Sequence, residues 1–276
     1  MMNGLSETTA SPRARVALPD AKPRLDTTIV KGMRVIETLA RSSKPLGVTE
    51  LARMLDLQKS NTHRILNTLM ELGYVQKEQG TPLYQLSLKT WEIGCKIING
   101  NHLRRAARPL MRQLHEKTSE IVFLTVLSGI DIVYLETIDA VYPLQSGIKT
   151  GWRVPAAFPA SGRALLAHQP DAEQLLERTV REVPQAASLD IPKLLEELAE
   201  IRRRRFAITI GGWTSGRNSI AAPITGGRRT ALAAVGVGGP TDRMGPDRLD
   251  TLAKSVLNAA TRIAEILGSD ESVHWL

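Results

Sequence analysis

The sequence predicts an α+β protein with an N-terminal winged helix–turn–helix, a linker helix, and a C-terminal antiparallel sheet flanked by helices. Three observations carry this reading. Val48, Leu51, Ala52 and Leu55, then Ile65, Leu66, Leu69 and Leu72, recur at helical spacing on either side of the short corner Asp56-Leu57-Gln58. Two strand-like runs, Tyr74–Lys77 and Pro82–Leu86, follow at once around a polar loop containing Gly80, which reads as a hairpin. Much later, Ile121–Leu127 and Ile132–Glu136 form a second hairpin across Ser128-Gly129-Ile130-Asp131.

The elements follow in order. Met1 to Asp26 is rich in Ser, Thr, Pro, Ala and Arg, lacks the apolar stretch of a secretion signal, and reads as a disordered arm. Ile29, Met33, Ile36 and Leu39 mark a first helix, which Ser42–Gly47 ends through Pro45 and Gly47. The second helix starts at Val48, and the third runs to Glu71, where Gly73 supplies the left-handed stop. Residues 27–87 thus make the winged domain. Leu88, Trp91, Cys95, Ile98 and His102 give a linker helix over 88–102. Its Trp-bearing face suits either a dimer contact or packing onto its own domain, with Cys95 as a core residue. Asn99-Gly100-Asn101 interrupts, and a second domain fills 103–276. It opens with a helix carrying Leu103, Ala107, Leu110 and Leu114. Further helices are expected at 161–168, 171–180, 190–204 and 246–267, with strands near 206–210, 218–224 and 231–237.

Composition narrows the function. One cysteine excludes an internal disulfide framework and fits a cytoplasmic protein. The five histidines show no metal-ligand spacing, no run is long enough to cross a bilayer, and no cofactor signature is present. Of the net charge of +8, residues 27–90 carry +4, with nine Lys/Arg against five Asp/Glu. Residues 91–276 hold 23 against 20. The excess lies where phosphate contact would need it. In the third helix, Ser60, Arg64 and Asn67 point away from the apolar seam, with His63 at its edge. A helix that buries one stripe and offers such side chains on the other suits the DNA major groove. Ser60, Asn61, His63, Arg64 and Asn67 are the candidate base contacts; Lys59 and, on the wing, Lys77 are the candidate phosphate contacts.

The order of parts resembles the IclR family of bacterial transcription regulators. The similarity rests on VTELARMLDLQKSNTHRILNTLMELGYV with a wing ending in YQL, on LRRAARPLMRQLHEKTSEIVFLTVLSGIDIVYLETI, on PAAFPASGRALLA, and on LEELAEIRRRRFAI followed by NSIAAPI. It implies a winged helix–turn–helix joined to an effector domain resembling GAF and profilin folds. It also implies homodimers or homotetramers on palindromic double-stranded operators, with a small organic effector, here possible as a carboxylate, altering DNA affinity. The expected role is regulation, more often repression, of a catabolic operon, with no enzymatic activity and no membrane partner. Several positions depart from the family pattern. The turn before the Gly-Lys-Ala helix reads Ala160-Ser161-Gly162-Arg163-Ala164 here. The run Arg205–Gly212 has no acid, the frequent pocket cysteine is Ser219, and the late strand that often carries serines reads Val235-Gly236-Val237-Gly238. Candidate effector contacts are therefore Ala160, Ser161, Gly162, Thr209, Ser219, Gly236 and Gly238.

Physical readings accompany these positions. Ser161 is placed to cap a helix, with Gly162 allowing a carboxylate close to free N–H groups, or simply to cap it with Arg163 exposed. Gly211–Gly216 reads as a loop whose Trp213 fills a hole or serves as an aromatic plate. Arg202–Arg205 end a helix, where cations complement the dipole, so they read as a solvated end rather than a phosphate patch. Gly236–Pro240 lacks dinucleotide-loop spacing, and no Ser–His–acid signature occurs. Two competing readings remain open: a C-terminal domain that turns over its small molecule, and a winged-helix scaffold whose C-terminal domain only oligomerises or binds proteins.

Overall fold

A computed structural model describes residues 25–141, 148–213, 216–225, 230–231 and 233–268. The proposed arm therefore lies almost wholly outside the described residues. The chain divides between Gly94 and Cys95 into two compact units.

In the first unit, α1 (Thr27–Arg41) starts where the Asp26 carboxylate accepts hydrogen bonds from the Thr28 and Ile29 N–H groups at 2.8 and 3.1 Å. Such a cap is worth about 1 kcal/mol. α2 (Val48–Leu55) buries Leu51, Ala52 and Leu55 and stops at Asp56, whose φ of 53° is left-handed. α3 (Lys59–Glu71) buries Thr62, Ile65, Leu66 and Leu69. It ends through Gly73 (φ 77°), where Gly73 N–H bonds the Met70 carbonyl and Tyr74 N–H the Leu69 carbonyl. The wing is β2 (Val75–Lys77) against β3 (Leu83–Leu86), with Tyr84 buried among Val35, Leu39, Leu51 and Leu66. One element was not expected. Leu46–Gly47, read as a helix-ending loop, pairs as β1 with Leu83 and Tyr84, so the sheet order is β1-β3-β2. Two residues are too few to show alternation in a sequence.

α4 (Leu88–Gly100) has no fully buried residue. Trp91 is 66% exposed, and Cys95 is half-buried rather than core. The two units divide within this helix instead of after it. α5 (His102–Thr118) is capped by Asn101, whose side chain accepts from Arg104 N–H at 2.8 Å.

The second unit is a six-stranded antiparallel sheet. Its strands are β4 (Ile121–Ser128), β5 (Asp131–Ile138), β6 (Arg153–Pro155), β7 (Ala207–Ile210), β8 (Arg217–Ile224) and β9 (Ala233–Pro240), in the order β6-β5-β4-β9-β8-β7. Alternation assigns its two faces. Val122, Leu124, Ile220, Ala222, Val235 and Val237 pack against α5 and α9 (Pro246–Gly268). Ile121, Phe123, Tyr134, Ala207, Ala221 and Ala234 face the opposite layer. That layer holds α6 (Ala160–Leu166), α7 (Ala172–Glu182) and α8 (Ile191–Arg204). Burial on both sides explains why Ile121–Leu127 is a continuous apolar run. β6 is three residues long and was not foreseen.

Candidate functional site

The first candidate site is the outer face of α3. At about 100° per residue, a seam of Thr62, Ile65, Leu66 and Leu69 leaves Ser60, His63, Arg64 and Asn67 exposed. Two side-chain pairs hold this face. Arg64 Nη2 donates to Asn61 Oδ1, and Asn67 Nδ2 meets His63 Nδ1, both at 3.4 Å. Asn61 is only half exposed and lies toward the groove beside α1. Lys59 is exposed in the first turn of α3. Lys77 closes β2 with its ammonium 5.6 Å over the Tyr84 ring, an anchor that leaves the side chain exposed on the wing.

The second candidate site lies in the second unit, on the sheet face that carries α6. Register aligns Thr209 with Ser219, Ser219 with Gly238, and Gly238 with Ile121, so one row crosses four strands. Above this row is a cavity of about 240 Å³ bordered by Phe123, Tyr134, Trp152, Val154, Trp213 and Arg217. Thr209 and Ser219 hydroxyls are 2.9 Å apart. Asn218, 1% exposed, accepts from Gly211 N–H at 3.1 Å and donates to the Met244 carbonyl at 2.8 Å, which ties the β7–β8 end to the start of α9. Phe123 meets Tyr134 edge-on at 5.8 Å, and Trp213 meets Phe158 at 5.0 Å. Tyr134 exchanges two backbone hydrogen bonds with the Gly151–Trp152 turn, which sets Trp152 beside it. Burial pushes the Tyr134 phenol up to about 12, with the Arg217 charge opposing the rise. Arg217 is the one formally charged side chain among the described lining residues.

The structure brings Thr209, Ser219 and Gly238 together here, and places the other expected effector residues elsewhere. Ala160, Ser161 and Gly162 are fully buried inside α6 and do not border the cavity. Pro159, with its fixed φ, is the N-cap, so the helix starts before Ser161, whose Oγ is buried without a partner among the described residues. Gly162 is demanded by packing rather than by a ligand, since a Cβ there would sit 2.0 Å from the Ala156 carbonyl oxygen. Arg163 is not exposed. It grips Glu197 of α8 at 2.7 Å and the Ala157 carbonyl at 2.9 Å. At Gly236 the space a Cβ would need is taken by the Ile220 carbonyl and the Phe123 ring, both 2.5 Å away. Trp213 lines the cavity, while its loop neighbours Thr214 and Ser215 lie outside the described residues. Tyr134, Trp152 and Arg217 had not been singled out. Their strands meet only through the sheet order, which no local spacing reveals.

Two other sequence features resolve as structure. Arg202 and Arg204 donate to the Ala167 and Phe206 carbonyls, and Arg203 pairs with Glu200, so the arginine run fastens the end of α8. Residues 236–240 belong to β9. Among the described residues there is no cluster of His, Cys, Asp or Glu that could hold a metal, and no helix is long and apolar enough to cross a membrane.

Comparison with known proteins agrees with both units. Residues 28–79 match the IclR helix-turn-helix domain, and residues 95–265 match the bacterial transcriptional regulator IclR C-terminal domain. A regulator named SauR from Cupriavidus necator is 31% identical over 225 residues, covering 80% of this chain and 88% of its own. A solved regulator from Rhodococcus sp. RHA1 superimposes with a TM-score of 0.74 at 27% identity, covering 89% of this chain and 99% of that one. An IclR homologue from Microbacterium hydrocarbonoxydans, complexed with 4-hydroxybenzoate, shares the fold with a TM-score of 0.74 at 22% identity, covering 88% and 100%. The chain belongs to the IclR family of bacterial transcription regulators, DNA-binding proteins rather than enzymes.

Proposed function

We propose that this regulator acts in the cytoplasm, reads a palindromic operator with α3, and releases or grips it when a small organic effector occupies the β-sheet cavity. The observation that carries the DNA side is the exposed set Ser60, His63, Arg64 and Asn67 opposite a fully buried seam. These side chains face base edges in this reading, with Asn61 at the margin, while Lys59 and Lys77 neutralise phosphates. Repression is the expected outcome of operator occupancy.

Self-association supplies the palindrome, because a twofold dimer presents two α3 helices to two half-sites. A groove of about 860 Å³ between α1, α3 and the start of α4 is lined by Ile29, Met33, Ile36, Leu72 and Ile93. Exposed Trp91 on the same helix as Ile93 adds to this apolar surface, which a second copy would cover. The effector side rests on the cavity itself, which is concave, largely apolar and set with a few polar groups. The 4-hydroxybenzoate complex of the Microbacterium homologue supports a small carboxylate as the class of ligand.

The test is a gel shift of the full chain on DNA upstream of its own gene at physiological salt, with and without small organic acids. A specific, ligand-sensitive shift supports the reading. Retardation that non-specific competitor DNA abolishes would leave a protein-binding scaffold instead.

A further inference from the structure

We infer that the cavity accepts a small, flat aromatic monocarboxylate, with the carboxylate set against Arg217 and the Thr209–Ser219 hydroxyls and the ring among Tyr134, Trp152 and Trp213. The inference rests on the reading of this cavity as the effector site, and it specifies which chemistry that site selects.

Size comes first. About 240 Å³ lies just under the ~300–1,000 Å³ of drug-sized sites, so one ring with a short substituent is the natural fit. The walls come next. The chain has three Phe, four Tyr and four Trp, and four of those eleven rings border this one cavity. Core packing does not require that concentration, since Trp152 and Trp213 remain 47% and 42% exposed. Indoles left half in water at a cavity mouth gain most from a flat apolar partner.

The polar groups then choose the charge and limit the hydrogen bonding. Arg217 is the only formal charge among the described lining residues, so an anion is favoured and a cation is not. Burial keeps the Tyr134 phenol protonated at neutral pH, so it adds no negative charge beside the guanidinium. The hydroxyls of Thr209 and Ser219 hold two hydrogens between them. One is used in their mutual bond at 2.9 Å, which leaves one O–H for a ligand oxygen. Asn218 contributes little to a ligand, because both ends of its amide are already bonded to Gly211 and Met244. A polyhydroxylated sugar acid would leave most of its hydroxyls unpaired against aromatic walls, which is costly. One anion and few hydrogen bonds match an aromatic monocarboxylate.

Calorimetry on the full chain tests this with benzoate, benzamide, gluconate and pyruvate as probes. Benzoate is expected to bind at least tenfold more tightly than each of the others. Arg217→Met should weaken benzoate at least tenfold and leave benzamide within twofold. If Arg217→Met does not fold, Thr209→Val gives the second reading, with at least a threefold loss for benzoate and none for benzamide. Tighter binding of gluconate or pyruvate, equal losses for benzoate and benzamide, or no binding of benzoate at millimolar concentration would each overturn the inference. A gel shift separates the two levels. Benzoate that binds as described but leaves operator affinity unchanged supports the pocket chemistry and removes the effector role. Gluconate or pyruvate that binds instead and changes operator affinity keeps the effector role and removes the aromatic class.

Discussion

The α3 face and the sheet cavity differ in how their residues are assembled. Every side chain on α3 is placed by helical repetition within Lys59–Glu71, so burying Thr62, Ile65, Leu66 and Leu69 fixes which residues face out. The cavity draws on β4, β5, β7, β8 and β9 and on the turn at Trp152. Its residues run from Ile121 to Gly239, and only strand order and register bring them together. One site is a property of a segment, the other of a topology. Damage should therefore stay local on α3 and spread in the cavity unit.

Arg64→Ala puts the largest expected effect on the local side. A base contact of this kind is worth ~1–3 kcal/mol, and a dimer makes it twice, so operator affinity should fall about 100-fold or more. Arg64 is exposed and bonds only Asn61 among the printed hydrogen bonds of α3, so the melting temperature should hardly move. Unchanged affinity would remove α3 from base reading.

Gly162→Ala probes the topological side. Its Cβ would meet the Ala156 carbonyl oxygen at 2.0 Å, so backbone must shift. A loss of about 3 kcal/mol in urea unfolding is expected, at the upper end of overpacking costs. A neutral result would mean that the α6 entry is looser than its close approach implies.

Tyr134 sharpens the comparison through pH. Its phenol is raised to about 12 in the fold against a model value of 10.0, so the unfolded chain loses that proton first. Stability from this group is complete below about pH 10 and is lost as pH climbs toward 12, on the order of 2 kcal/mol. Tyr134→Phe should flatten the alkaline limb of the stability curve relative to the parent chain. Identical limbs would show that the phenol is not held protonated. On the other unit, Lys77→Ala has the smallest expected effect, a few-fold loss across all sequences and a salt slope lower by about one unit per contact.

The same contrast explains what could be read without a structure. Asp56-Leu57-Gln58, the left-handed Gly73 and the Asn101 cap are local signals, and each marks a real boundary. The Ser128–Asp131 hairpin is equally local. Leu46–Gly47 and Arg153–Pro155 were too short to show a period. Ser161 looked like a cap because small polar residues before an apolar run usually are, but Pro159 starts α6 earlier. The glycines illustrate the harder problem. Gly162, Gly236 and Gly238 look alike in sequence, yet the first two make room for protein and only Gly238 opens on the cavity. Arg217 carries no local mark at all; its neighbourhood to Tyr134 depends on the order β5-β4-β9-β8.

Amide hydrogen exchange across the full chain, with and without DNA from upstream of its gene, tests the central claim most directly. The first N–H groups of α3 have no intrahelical partners and exchange readily, so a groove-bound helix should protect them. The account predicts slowed exchange over residues 59–67 and the wing at 75–83. Protection confined to the second unit, with α3 exchanging as it does in free protein, would contradict it.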